Sequence, residues 1–159
     1  LRAFSIVCRK VSCKLVILGE GEKRKELEEL VKELGLEGKV DMPGFVENPF
    51  AYMARASVFV LSSLWEGLPN VLIQAMVCGT PVVATDCPSG PREILEDGRY
   101  GRLAPPGDWE KLADEISLSL SKVCKQQQEN KERANFFSVD RSVNILFELL
   151  NLLETGEVK

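Results

Sequence analysis

The sequence contains no histidine. That absence removes imidazole zinc sites, Ser-His-Asp triads and histidine general bases from this chain. No Asp-x-Asp pair occurs either, so a short acidic metal-holding motif is missing. Five cysteines are present (Cys8, Cys13, Cys78, Cys87 and Cys124), and no two form a C-x-x-C pair. An odd count without paired spacing predicts buried or idle thiols in a reducing compartment. No apolar run is long enough to cross a bilayer, and the opening LRAFSIVCRK mixes charge into its apolar positions, unlike a signal-peptide core. Long basic runs are absent and the net charge is −4, which argues against nucleic acid as the main partner. The chemistry left to the chain is that of carboxylates, backbone donors, and groups supplied by another domain.

What is present suits one globular domain. The 159 residues are 45% hydrophobic and 28% charged, enough to bury a core. Leu1, Ala3, Phe4, Val7, Cys8 and Val11 recur at helical spacing. That helix starts without a cap and without a Met, which leads us to expect a piece of a longer chain. The apolar run LVIL, ended by Gly19-Glu20-Gly21, predicts a buried parallel strand and its turn. Residues 22–34 read as an amphipathic helix with Leu27, Leu30, Val31 and Leu34 inward, closed by Gly35 and Gly38. Strands are expected at 39–42, 57–61, 81–84 and 100–104, with short helices at 49–55 and 91–95. Residues 70–78 are apolar almost all round and predict a buried helix, with Gly79 as its C-terminal cap. Asp108 is a good cap for a helix reaching residue 121. Residues 126–130 read as a polar break or a solvated helical face. Residues 139–153 read as a helix with Val143, Leu146, Leu149, Leu150 and Leu153 on its apolar side, and the last six residues as frayed.

Strands thus alternate with helices, which predicts an α/β, doubly wound, mostly parallel sheet. In such sheets ligands bind at the carboxyl ends of the strands. Four loops belong to that edge: residues 19–22, 43–46, 62–70 and 85–92.

The most telling stretch is SSLWEGLPNVLIQAMVCGTPVVATDCPSGP, residues 62–91. Gly67 lets the backbone approach a ligand, and Pro69-Asn70 suits a helix start. The free N–H groups of that first turn make a ready anion site. A carboxylate at Glu66 would compete with an anion, unless it accepts hydrogen bonds from sugar hydroxyls while the N–H groups hold a phosphate. The structural alternative is a capped buried helix beside a surface Glu. Gln74 is the one polar side chain in VLIQAMVC, and a buried amide needs a partner, either a ligand hydroxyl or a neighbouring backbone group.

These residues resemble a known family. Glu66-Gly67-Leu68-Pro69-Asn70, Gln74-Ala75-Met76 and Cys78-Gly79-Thr80-Pro81-Val82-Val83 are similar to the Glu-x7-Glu signature of family-4 glycosyltransferases. LVILGEGE, Gly44-Phe45-Val46, AYMARASVFVLSS and DCPSGPREIL resemble the same family in the same order, over roughly residues 1–120. The resemblance implies the C-terminal, donor-binding half of a GT-B fold. It further implies transfer of a sugar from a UDP- or GDP-sugar donor, with retention of configuration and without a bound metal or other cofactor. In that scheme Glu66 is the catalytic-site carboxylate on the donor sugar. Gly67, Leu68, Pro69, Asn70 and Val71 meet sugar and diphosphate, Gln74 takes the place of the ribose-binding Glu, Val46 lies near the base, and Gly19 floors the cleft.

Two departures from the pattern stand out. Gln74 replaces a carboxylate by an amide, which accepts with one atom and donates with the other. The family's opening strand and its Gly-Arg…Lys loop, which the resemblance assigns to neutralising the diphosphate, are not among residues 1–159. The expected layout is a nucleotide-sugar domain at 1–125, lacking its first strand and so carrying a gap or open edge in its sheet, with a helical segment at 126–159 packed on it. An N-terminal domain of the parent chain is then the missing partner, the isolated chain is inactive, and a cytoplasmic setting follows, with membrane contact only peripheral and through the missing domain. Two rivals are a nucleotide-binding α/β domain without transfer, and an interaction module using the 139–153 face. A dinucleotide fingerprint is weak, since Gly19-Glu20-Gly21 lacks the third glycine.

Overall fold

The structure, a computed structural model, describes residues 1–121 and 127–155, with side chains for 1–121 and 128–147. In chain order the elements are α1 (Arg2–Lys10), β1 (Leu15–Leu18), α2 (Arg24–Glu33), β2 (Val40–Gly44), α3 (Pro49–Met53), β3 (Phe59–Leu61) and α4 (Asn70–Val77). There follow β4 (Val82–Thr85), α5 (Pro91–Ile94), β5 (Arg102–Ala104), α6 (Trp109–Ser121), α7 (Gln127–Asn135) and α8 (Val139–Thr155).

Local chemistry explains the boundaries. Asn48 caps α3 by accepting from the Ala51 N–H at 3.2 Å, with Pro49 in the first turn. Asp108 accepts from the Lys111 N–H at 2.8 Å, as a helix cap should. Gly79, with φ +77°, ends α4 in the left-handed conformation that glycine adopts most cheaply.

All the strand pairings are parallel, as expected for an α/β fold. β4 lies between β3 and β5 and is buried along its whole length. Its side chains alternate: Val82 and Ala84 pack with Leu72, Ala75 and Met76 of α4, while Val83 packs with α1 and α6 through Val7, Leu112, Ala113 and Ile116. Helices therefore cover both faces of this sheet, the doubly wound arrangement.

The sheet itself is divided. β1 and β2 form a two-stranded sheet, and β3, β4 and β5 a separate three-stranded one. α1 lies across the division. Its Phe4 packs with Val31 and Leu36 of the β1–β2 half, and its Ala3 and Val7 pack into the β3–β5 half.

Several expectations need correction. β1 was expected to be buried, yet Val16 is 41% exposed. β1 is hydrogen bonded to β2 alone, so its other edge and part of its face stay open. α4 is not buried all round: Leu72, Ala75 and Met76 are inside, whereas Val71 and Val77 face outward. β2 runs two residues further than expected, through Pro43 and Gly44. The polar residues after 126 are neither a break nor wholly solvated. They form α7, whose Asn130 and Ala134 are buried, Ala134 in the core around α4. Arg133 fastens this helix by donating to the Ile94 carbonyl at 3.0 Å, and its guanidinium lies over the rings of Tyr100, Phe136 and Phe137.

The expected apolar side of α8 is exposed at Val143 and Leu146. The side chains of Leu149, Leu150 and Leu153, together with Cys124, Gln126, the 125/126 boundary and the last four residues, lie outside the described residues.

Candidate functional site

The four carboxyl-edge loops are joined in two pairs. In the β1–β2 half, the Gly19 N–H donates to the Gly44 carbonyl at 2.8 Å. Arg24 pairs with Glu20 and Glu28 at 2.5 and 2.9 Å and donates to the Met42 carbonyl. Glu20 lies so close over Gly44 that a Cβ there would meet its carboxylate at 2.4 Å. Gly19 itself has open space beside its backbone, Val46 is half-buried, and the neighbouring Phe45 is 83% exposed.

In the β3–β5 half the joinery is buried and neutral. Thr85, at the end of β4, is 3% exposed. Its hydroxyl donates to the Ser63 carbonyl and approaches the Leu61 carbonyl at 3.4 Å. The Ser63 hydroxyl in turn donates to Glu66 Oε1 at 2.6 Å. A strand end thus fixes a loop carbonyl, and that loop's hydroxyl fixes the carboxylate. One oxygen of Glu66 is occupied by this bond, and the other is left for a ligand.

A second contact locks the same loop from the side. A Cβ on Gly90 would lie 2.4 Å from both the Gly67 carbonyl oxygen and Pro69 Cδ. Gly90 also has φ +75°, so only glycine fits there without strain. Gly67, by contrast, has no atom within 4 Å of where a Cβ would stand. The backbone at Gly67 is therefore open on the side a ligand would approach.

α4 begins at Asn70 with Pro69 in the cap position, and no side chain caps it. A proline has no side-chain oxygen to offer, so the chain leaves first-turn N–H groups for an outside acceptor. Gln74 sits one turn on, half-buried, and its side chain makes no hydrogen bond to any described residue. The structure thus removes the neighbouring backbone group as its partner. Leu64, Trp65 and Leu68 form an exposed apolar rim around Glu66, with Trp65 80% exposed.

The nearby cations are already engaged. Arg92 binds Asp86 through two nitrogens and Asp97 at 3.0 Å. The Asp86 hydrogen bond, then that from Asp97, hold its guanidinium above the ordinary arginine value. Arg24 is held by Glu20 and Glu28 in the other half. The positive potential at the start of α4 comes from backbone N–H groups rather than from these side chains.

The structure therefore gathers Glu66, Gly67, Leu68, Pro69, Asn70, Val71 and Gln74 on one loop and helix. Gly19 and Val46 belong to the loops of the other sheet, and no hydrogen bond or ion pair among the described residues joins the two pairs. Ser63, Thr85 and Gly90 are the residues that sequence reasoning passed over. Their signals are a serine three positions before the candidate carboxylate, a threonine closing an apolar strand at the ligand edge, and a Ser-Gly turn.

Residues 1–135 match the family profile described as glycosyl transferases group 1. The chain belongs to that family. A relative of the same kind, an uncharacterized glycosyltransferase of Methanocaldococcus jannaschii, is 47% identical over 90% of this chain and 43% of its own length. A Campylobacter jejuni N-acetylgalactosaminyltransferase acting on a diphospho-undecaprenol is 49% identical over 59% of this chain and 26% of its own length. This chain thus spans less than half the length of these curated relatives. Among solved structures, Staphylococcus aureus TarM in complex with UDP superposes with a TM-score of 0.84, 26% identity, over 94% of this chain and 31% of that one. Anabaena HepE with UDP and glucose gives 0.81 and 27% over 94% of this chain and 42% of that one. As a member of the group 1 glycosyltransferase family, the chain is an open Rossmann-like half matching GT-B glycosyltransferase structures.

Proposed function

We propose that this chain is the donor-binding half of a retaining, family-4 hexosyltransferase that takes its sugar from a UDP- or GDP-sugar. The observation that carries the reading is the loop 62–70: one free carboxylate oxygen on Glu66, an open backbone at Gly67 and an uncapped α4 converge there. A carboxylate accepts from sugar hydroxyls, and helix N–H groups accept no proton but donate to a diphosphate. That division of labour is what charge development on a leaving diphosphate requires. The bound UDP in the TarM and HepE structures supports a nucleotide-sugar donor.

Gln74 is the ribose-side residue in this reading. Hydrogen bonds to a charged acceptor are worth roughly 1.5–3 kcal/mol against about 1 for neutral ones, so an amide there tunes affinity rather than abolishing it. Val46 and Gly19 sit at the base side and the floor of the cleft. No metal or cofactor takes part.

A partner domain and a cationic loop from outside residues 1–159 complete the cleft. Two observations support this: Arg24 and Arg92 are consumed by carboxylates, and the sheet is split between β1 and β3. Acceptor contacts, in a cytoplasmic setting, belong to that partner. The isolated chain accordingly does not transfer sugar.

The deciding experiment is titration of UDP- and GDP-sugars into the full-length protein, followed by product analysis. We expect one nucleotide class to bind and the product to retain the donor configuration. Gln74→Glu should change donor affinity by about tenfold at most (about 1.4 kcal/mol). An inverted product, or transfer by the isolated chain, would overturn the reading.

A further inference from the structure

A cavity of about 430 Å³ lies between the end of α1 and the starts of β1 and β2. It is lined by Arg9, Lys10, Lys14 and Lys39, by Cys8 and Cys13, and by the Val11, Ser12 and Gly38 segments, with no carboxylate. In a chain with 24 acidic and 20 basic residues, four cations around one space whose lining holds no carboxylate is a marked local excess. Lys10 reaches Asp114 at 3.6 Å. Arg9, Lys14 and Lys39 make no ion pair with any described residue.

Arg9 and Lys10 have a structural reason to be there, since they oppose the negative end of the α1 dipole. Lys14 and Lys39 have none: each merely precedes a strand. Lys39 lines the cavity with Cys13, whose thiol is pushed up by burial and by Cys8, with the Lys39 ammonium opposing that rise. Like charges held around one space repel, and an anion placed among them relieves that repulsion. The volume is within the range of small-ligand sites. Arg9 can offer a planar fork to phosphate oxygens, and the lysines offer point charges.

We propose that this cavity binds a phosphate-bearing anion, at the opposite end of the strands from the sugar-donor edge. The two ends are separated by the four residues of β1, roughly 13 Å. The site is independent of the transferase reading, because it shares no residue with loops 62–70 and 85–92. Its ligand is either a free polyphosphate or the phosphate of a lipid headgroup, and both present the same charge to the same side chains.

The test uses the full-length protein, inorganic pyrophosphate, and vesicles of phosphatidylglycerol mixed with phosphatidylcholine. Alkylation of Cys13, read by mass spectrometry, reports occupancy of the cavity and does not sense the donor edge. Pyrophosphate protecting Cys13 identifies a free anion. Cys13 protected only by phosphatidylglycerol vesicles, and not by pure phosphatidylcholine, identifies a headgroup. Lys14→Glu with Lys39→Glu should weaken binding by about tenfold or more, and raising ionic strength from about 0.01 to 1 M should abolish it. Lys25→Glu with Lys32→Glu, on the exposed side of α2, makes the same charge change and should leave binding within about twofold. No protection by either probe, or equal loss in both double variants, overturns the proposal.

Discussion

The two halves of the ligand edge are fastened by different physics. Between β1 and β2 the loops are strapped by the Gly19–Gly44 backbone hydrogen bond and by Arg24, which reaches the Met42 carbonyl while held by exposed ion pairs to Glu20 and Glu28 on its own segment. Between β3 and β4 they are pinned by a buried threonine hydroxyl and by a glycine pressed against the opposing backbone. Exposed pairs are weak and screened by salt, while buried neutral hydrogen bonds and steric contacts are neither. The candidate catalytic carboxylate, Glu66, stands on the pinned half. Under the proposed function, positional precision is therefore concentrated where a reacting group would need it, and the other half is the more adjustable one.

This contrast can be broken by substitution, beginning with the largest expected effect. Gly90→Ala forces a methyl group into the Gly67 carbonyl and Pro69 while holding alanine at positive φ. It should cost roughly 2–3 kcal/mol and lower the Tm by about 5–10 °C in thermal unfolding followed by circular dichroism. An unchanged Tm would show that the two loops are not pressed together. Next comes Thr85→Val, which keeps the shape but strips the donor from the Ser63 carbonyl. A loss of about 1–3 kcal/mol by urea titration is expected, with most of it recovered in Thr85→Ser.

Ser63→Ala sharpens the comparison by separating stability from binding. Stability should fall by less than about 1 kcal/mol, because Ser63 is only partly buried. Donor affinity of the full-length protein should weaken by about three- to tenfold, and Ser63→Thr should restore it. Affinity that tracks stability instead would reduce Ser63 to a packing residue. The smallest effect is expected from Arg24→Ala on the strapped half. It should cost about 1 kcal/mol at low salt and less near 1 M, where the Debye length falls to about 3 Å and mainly the hydrogen bond to the Met42 carbonyl is left to lose. A salt-independent loss there would erase the distinction between the halves.

Much of this arrangement was legible in the chain itself. Short apolar runs bounded by turn residues placed each strand, period-3.6 patterning placed most helices, and Glu66 to Val71 stood out because polar and conformational signals coincided at one strand-to-helix turn. The division of the sheet was legible only as an expected gap, since which edges stay open depends on long-range pairing. Val16 shows why burial failed there: an apolar run looks the same whether one or both of its edges are paired. Asn130 failed in the opposite way. Its polar neighbourhood reads as solvent, but α4 covers that side of the helix. Ser63, Thr85 and Gly90 were invisible as a unit because they lie up to 27 positions apart in the chain, and only the fold brings Thr85 and Gly90 against the loop that carries Ser63. Gln74 was singled out correctly as unusual, but whether the backbone satisfied it required coordinates.

α1 carries a consequence for how the molecule opens. Phe4 is seated in one half and Ala3 and Val7 in the other, so one rigid rod is anchored in two separately hydrogen-bonded sheets. Such a rod makes the thermal fluctuations of the halves correlated rather than independent. Loosening Phe4 should then quicken amide exchange not only at Leu15–Leu18 but also at Phe59–Leu61, across a division that no backbone hydrogen bond among the described residues spans.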